Sequence, residues 1–240
     1  MKPVLDISAV NKRFGALTVA DGVTFSLAPG EALGIIGPNG AGKSTLFNLI
    51  TGNLRVDGGR IVFDGKDVTS APPMQRCLMG IGRTFQIPQP FVKLTVFENL
   101  LVAGAFGSRA REAEVAARCG DILVKTGLIA RANVPAGQLT LLERKRLELA
   151  RALATGPKVL LLDEIAGGLT EGECAALVAT IRDIRASGMS IVWIEHVLHA
   201  LNSVVDRLLV LDFGRVIGIG RPDEIMASKE VREIYLGLEA

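Results

Sequence analysis

The sequence predicts an α/β protein built on a parallel sheet, with an N-terminal antiparallel β-subdomain and a helical subdomain inserted into the core. Three observations carry that expectation. Short apolar runs at Ala32-Leu33-Gly34-Ile35-Ile36, Val159-Leu160-Leu161-Leu162, Ile191-Val192-Trp193-Ile194 and Leu208 to Leu211 have the length and composition of strands covered on both faces. The segments Val4-Leu5-Asp6-Ile7, Val23-Thr24-Phe25-Ser26-Leu27 and Arg60-Ile61-Val62-Phe63 read as short strands with turns, the last ending at Asp64-Gly65, a dipeptide that marks a hairpin. From Pro88 to about Leu153 helical spacing takes over: Val115, Cys119 and Ile122 stand at i, i+4 and i+7, and Leu147, Ala150 and Leu153 share one face.

The order of these elements sets the organisation. Ala32 to Ile36 runs into a Gly-rich loop and then an amphipathic helix, Ser44 to about Ile50, closed by Gly52. A helix from about Glu173 to Ser187 separates two later strands, the alternation that yields parallel pairing through crossover helices. The prediction is one domain over 1–240, with the α/β core and β-subdomain in 1–86 and 157–240 and the helical subdomain in about 87–156.

Composition narrows the class. At 240 residues, 49% hydrophobic and mean hydropathy +0.37, the chain can bury a sizeable core. No apolar run approaches the roughly 18 to 20 residues of a membrane helix. Lys2 is followed by Asp6 and Asn11 where a signal peptide needs an unbroken apolar stretch, so a cytoplasmic chain is expected. A net charge of +2 gives no reason to expect a nucleic-acid partner. Cys77, Cys119 and Cys174 are widely spaced and odd in number, the pattern of reduced thiols.

Two motifs carry chemistry. Gly37-Pro38-Asn39-Gly40-Ala41-Gly42-Lys43-Ser44 matches GxxxxGK[ST] between a predicted strand and a predicted helix. Such a loop turns successive N–H groups onto a phosphate while the following helix directs its positive end at it. Lys43 is expected on the β- and γ-phosphates of ATP, Ser44 on Mg²⁺, and Thr45 beside them. Val159-Leu160-Leu161-Leu162-Asp163-Glu164 then delivers Asp163 to the Mg²⁺ shell at a strand's carboxyl end, and Glu164 is placed to polarise the attacking water. An acidic pair at a strand end could also cap a helix; the upstream loop favours catalysis. The fold class these motifs define is the P-loop NTPase, with a RecA-like core.

With both motifs in place, the chain resembles the nucleotide-binding subunit of ABC transporters over nearly all its length. The resemblance implies that Phe14, in Lys12-Arg13-Phe14-Gly15, stacks on adenine. It implies that Gln86, after Arg83-Thr84-Phe85, touches the metal and the attacking water, and that His196, in Ile194-Glu195-His196, meets the γ-phosphate. Phe14 could equally be core, and an isolated histidine such as His196 is often structural. Gly82 to Pro88 and Leu94 to Leu100 look like the subfamily that serves importers of branched-chain and other hydrophobic amino acids. That implies two transmembrane permease subunits, a second ABC ATPase subunit of the same or different sequence, a periplasmic solute-binding protein acting indirectly, and a place on the cytoplasmic face of the cell membrane. Permease contact is implied for the surface from Pro88 to Glu98.

The chain departs from the family at LSGGQ, which stands as Leu139-Thr140-Leu141-Leu142-Glu143. In the family this segment opens a helix and closes on ATP held by the other subunit; Thr140 keeps the hydroxyl and Leu142 the N–H for that contact. Leu141 and Leu142 restrict the close approach that glycine permits, and Glu143 brings a negative charge towards a triphosphate. The same Thr140-x-x-Glu143 is a capping box for the helix through Leu153, and the two readings are compatible. Ile165 replaces the family's proline, and Thr170 stands where many members carry aspartate. These changes suggest a heterodimer with one stronger and one weaker site. A soluble ABC ATPase with no membrane partner and a regulatory subunit with weak hydrolysis are the alternatives.

Overall fold

The protein is described by a computed structural model covering residues 2–108 and 110–236. Six strands form the central sheet. They are β3 (Ala32–Ile36), β6 (Ile81–Arg83), β7 (Val159–Asp163), β8 (Ser190–Ile194), β9 (Arg207–Asp212) and β10 (Arg215–Gly220), in the order β10-β9-β3-β8-β7-β6. All pairs are parallel except β9 with β10. A second, wholly antiparallel sheet has β1 (Leu5–Phe14), β2 (Leu17–Leu27), β4 (Gly58–Phe63) and β5 (Lys66–Asp67) in the order β2-β1-β4-β5. The Asp64-Gly65 turn joins β4 to β5 as the dipeptide predicts, with Phe63 opposite Lys66. The first two strands run longer than their apolar cores suggest. Strand β1 continues through the polar stretch Ser8 to Arg13, held by its pairing with β2.

Alternation along the buried strands splits the apolar residues between two cores. Ala32 and Ile36, Leu160 and Leu162, Ile191 and Trp193, and Leu208 and Val210 face one side of the central sheet. Their neighbours Leu33 and Ile35, Val159 and Leu161, Val192 and Ile194, and Leu209 and Leu211 face the other. The first core is completed by the helices α3 (Val96–Gly107), α4 (Glu112–Lys125), α5 (Leu141–Ala154) and α6 (Glu171–Ala186). The second is completed by the antiparallel sheet and α1 (Lys43–Thr51), through Leu46, Phe47, Leu49 and Ile50. A strand with two apolar faces is thus required wherever the sheet lies between layers, and the four predicted runs are those strands. Val115, Cys119, Ile122, Leu147, Ala150 and Leu153 all enter the first core, as their spacing predicts.

Helix starts follow a common device. Thr95, Thr140 and Thr170 each cap their helix reciprocally with Glu98, Glu143 and Glu173. Helix α1 has no side-chain cap at its start, and its end is closed differently. Arg76, in α2 (Pro73–Met79), is 2% exposed and donates to Leu49 O (2.7 Å), Ile50 O (2.8 Å), Ala71 O (2.9 Å) and Thr69 O (2.9 Å). On α1 it supplies the partner of Ile50 O and a second donor to Leu49 O, which also accepts from Gly52 N (3.3 Å), at the end of the helix dipole that attracts a cation. Burial pulls its pKa below arginine's ordinary value, the mark of a cation held by dipoles alone. Arg76→Met should therefore destabilise the fold by about 3 kcal/mol, since it strands buried carbonyls. Urea unfolding checks this; a loss below about 1 kcal/mol would show that these bonds are replaceable by water.

Candidate functional site

The residues singled out in the sequence gather at the carboxyl ends of the parallel strands. Gly37 follows β3, Gln86 lies three residues beyond β6, Asp163 ends β7, and His196 lies two beyond β8. In an open α/β sheet the helix N-termini and strand ends converge there, so charge and hydrogen-bond donors meet without long loops.

Gly37, Gly40 and Gly42 have φ of 155, 82 and 99 degrees. Space is as decisive as angle: a Cβ on Gly37 would lie 2.0 Å from Leu211 O, and one on Gly42 2.4 Å from Val19 O. The loop is wedged between β9 and β2, and any side chain at either glycine would push it out. Gly40 has open space around it and needs glycine for its φ alone. Pro38 is half-buried, Asn39 exposed and Ala41 buried, with Ala41 N donating to Pro38 O (3.2 Å) across the turn. Lys43 opens α1 and is buried, its amine bonded to Gly37 O (2.7 Å) and Pro38 O (2.9 Å). Burial lowers its pKa; the nearby carboxylates of Glu164 and Asp163 act the other way. Ser44 is exposed on the first turn and Thr45 half-buried.

Asp163 is held from two directions. Arg83 Nη2 donates to its Oδ2 at 2.8 Å, both side chains being nearly buried, and Thr84 Oγ1 accepts from its backbone N–H at 3.1 Å. Its other oxygen, Oδ1, is buried without a hydrogen-bond partner. A buried anionic oxygen left open is where a hard cation fits, and with the Ser44 hydroxyl the donor set is all oxygen, which suits Mg²⁺. Arg83 also bonds Asn48 Oδ1 on α1 (2.6 Å) and lies over the rings of Phe47 and Phe85. It joins three of the converging segments.

Glu164 sits at φ 44 degrees, a conformation a non-glycine residue adopts only under constraint. Its backbone N–H is fixed to Ile194 O at 2.9 Å. Its carboxylate is shared: Oε1 lies 2.9 Å from His196 Nε2, and Oε2 accepts from Gln86 Nε2. The structure brings the three residues together, with Gln86 and His196 both exposed. Gln86 uses its amide N–H₂ on Glu164, which leaves its carbonyl oxygen for another partner.

Sequence reasoning missed the residues that hold this group in place. Glu195 is 1% exposed and accepts from Ala166 N (3.0 Å) and His196 N (2.9 Å), bracketing the loops after β7 and β8. Lys145 is buried on α5 and donates to Gln86 O. Its place within Glu143-Arg144-Lys145-Arg146 reads as a solvated charged face, and only its phase with Glu148 on the apolar side could have marked it.

Thr140 and Leu142 stand at the cap and first turn of α5, and no hydrogen bond ties them to this chain's own phosphate loop among the described residues. The capping box forms as predicted: Thr140 N donates to Glu143 Oε2 (2.9 Å) and Glu143 N to Thr140 Oγ1 (3.4 Å). Arg131 Nε adds a bond to Glu143 Oε1 at 2.7 Å. Burial alone would raise this carboxyl's pKa, but the Arg131 and Thr140 bonds outweigh it and leave it lowered. Phe14 ends β1 opposite Leu17, on the hairpin that carries Val19 to Gly42. It is 48% exposed with Lys12 Nζ 5.5 Å from its ring centre, so it is not core.

Comparison with known proteins agrees with this geometry. The family described as ABC transporter matches residues 20–167. The high-affinity branched-chain amino acid transport ATP-binding protein LivG of Escherichia coli (strain K12) is 35% identical over 98% of this chain and 98% of its own. BraF of Pseudomonas aeruginosa, a high-affinity branched-chain amino acid transport ATP-binding protein, is 34% identical over the same shares. Among solved structures, a nucleotide-free ATP-binding cassette from an ABC transporter superposes with TM-score 0.90 at 34% identity, covering 99% of this chain and 100% of that one. The ADP conformation of MJ1267, an ATP-binding cassette of an ABC transporter, gives TM-score 0.90 at 35% identity over the same shares. On its motifs, its strand order and these likenesses together, the chain belongs to the ABC transporter family, as an ATP-binding cassette subunit.

Proposed function

We propose that this chain hydrolyses ATP to drive an importer of branched-chain or other hydrophobic amino acids, from the cytoplasmic face of the cell membrane. The observation that carries the hydrolytic reading is the convergence of Lys43, Asp163, Glu164, Gln86 and His196 on one edge of the sheet. Phosphoryl transfer asks mainly for positioning and for charge placed where it develops, and this edge supplies both. The loop from Gly37 to Gly42 and the start of α1 offer N–H groups and a positive helix end to the β-phosphate. Lys43 exchanges its bonds to Gly37 O and Pro38 O for the β- and γ-phosphate oxygens, a trade of carbonyl for charged acceptor.

Mg²⁺, held by Ser44 and Asp163 with the Gln86 carbonyl oxygen, would neutralise phosphate charge. Glu164 takes the proton of the attacking water as general base; before nucleotide binds, Gln86 holds one of its oxygens and His196 the other. When nucleotide arrives His196 turns to the γ-phosphate, which frees Glu164 Oε1 for the water. Phe14, exposed at the hairpin end, receives adenine.

The transport reading rests on the transport roles of the relatives and on the surface around Gln86. Phe85, Ile87, Phe91 and Val92 are exposed within eight residues, Ile87 at 71%. A patch of this kind marks a protein interface, and two permease subunits are the partners proposed for it. No helix among the described residues is long and apolar enough to cross a membrane, so the chain would reach the bilayer through those subunits. A second ATPase subunit completes the assembly, closing its own signature on this chain's phosphate loop, while Thr140 and Leu142 meet the partner's nucleotide. The periplasmic binding protein acts through the permeases.

Glu164→Gln should bind ATP like the parent, lower turnover by at least about 100-fold, the scale of a general base, and trap a closed dimer. Turnover and size-exclusion chromatography with ATP check this; normal hydrolysis would mean that another group is the base. Vesicles holding the permeases, the binding protein and both ATPases should take up leucine or isoleucine only with ATP inside. ATP hydrolysis without uptake of either would move the substrate to another class. The isolated chain should hydrolyse ATP more slowly per site than the pair with its natural partner, and equal turnover would remove the proposed asymmetry between the two sites.

A further inference from the structure

Lys145 is buried at 3% exposure, and among the described residues no carboxylate oxygen lies within ion-pair distance of its amine. It donates instead to two backbone carbonyls, Gln86 O at 2.7 Å and Glu164 O at 3.4 Å. Those are the two residues whose side chains are themselves bonded to each other. The carboxylates of Glu195, Glu164, Glu148 and Asp163 surround the ammonium at longer range and oppose the lowering of its pKa by burial. Stability alone does not call for a cation here, since an apolar chain of similar volume would pack without the cost of desolvating a charge.

The same face of α5 holds the rest of the loop after β6. Glu148, one turn on, accepts from Phe85 N at 3.3 Å. Arg151, three residues further, donates to Gln89 O and to Glu148 Oε2, both at 3.0 Å. The loop from Phe85 to Gln89 is thus fastened along one helix by three side chains. Only Lys145 also reaches the segment after β7.

We propose that Lys145 is a positioning residue for hydrolysis: its ammonium fixes the spacing of Gln86 and Glu164 and ties that pair to the helix that begins at Thr140. The inference rests on Glu164 and Gln86 acting on the attacking water. A helix whose first turn faces the partner's nucleotide would then carry the loop and the base as one unit, so that seating at one site is felt by the water at the other.

The test uses the full chain assembled with its partners, as parent, Lys145→Met, Lys145→Arg and Glu148→Gln. Lys145→Met should lower kcat at least about tenfold with KM within about twofold, because the group acts on alignment and not on nucleotide binding. Hydrogen exchange of the nucleotide-free chain should quicken at residues 85–89 and stay unchanged in β3 and α1. Lys145→Arg, which keeps the charge and its donors, should restore at least half the parent's rate and the slow exchange. Unchanged kcat, or a KM that rises in step with the fall in kcat, would overturn the positioning role. Should Lys145→Met fail to fold, the readout passes to the other two variants. Glu148→Gln weakens the neighbouring anchor and should quicken exchange at the same segment with a smaller fall in kcat. No change in either quantity for Glu148→Gln, with parent behaviour in Lys145→Arg, would overturn the fastening argument. Normal hydrolysis by Glu164→Gln would sink the reading of the base, whereas an inactive Glu164→Gln beside a fully active Lys145→Met would sink only the role given to Lys145.

Discussion

The contact on which the site depends is the seating of two glycines against backbone oxygens. Gly37 lies against Leu211 O and Gly42 against Val19 O, closer than any Cβ allows. Strands from both sheets therefore set the path of the phosphate loop, and the start of α1 follows from it. Lys43 is the first residue after that constraint, which explains how a lysine can be buried and still point its amine into the turn. The far end of α1 is gripped by Arg76, so both ends of the helix are tied to the antiparallel side of the molecule. The loop's path is thus set by the protein's own backbone, the kind of pre-organisation that suits anion binding at a helix start.

The second half of the site is organised by charge. Arg83 and Lys145 are buried cations, and each serves a carboxylate-bearing segment without cancelling the reactive group. Arg83 takes one oxygen of Asp163 and leaves the other open. Lys145 takes the carbonyl of Glu164 and leaves its carboxylate to Gln86 and His196. Glu195 supplies the opposite sign, receiving two backbone N–H groups from the loops beside it. The result is a rim of reactive side chains whose backbones are fixed one layer deeper, so that exposed residues such as Gln86 and His196 can move their tips while their main chains stay in place.

The sequence made the fold legible where one physical rule governed. Strands with two apolar faces are visible because every position is hydrophobic, and β3, β7, β8 and β9 stand where those runs lie. Strand β6 gave no such sign: it has three residues, one of them a glycine, and exists because β7 offers it an edge. The phosphate loop and the acidic strand end were readable because their chemistry demands fixed spacing along the chain. Lys145, Glu195 and Arg83 were not, because their partners are backbone atoms or side chains far away in sequence, 80 residues apart for Arg83 and Asp163. A charged residue inside a charged run looks solvated until the fold shows which face it shares.

The altered signature gains a different meaning in three dimensions. Read along the chain, Glu143 is a negative charge brought to a triphosphate site. In the fold that charge is already committed: one oxygen caps Thr140 N and the other is bonded to Arg131. A carboxylate held by a cation and a helix start projects much less field than a free one, because the positive groups lie within bonding distance of it. Electrostatic repulsion is therefore a weaker argument for an impaired second site than the bulk of Leu141, which is 46% exposed at the helix start, beside Gly168. The asymmetry proposed between the two nucleotide sites rests on how closely a partner's phosphates can approach that leucine, which is a question of shape before it is one of charge.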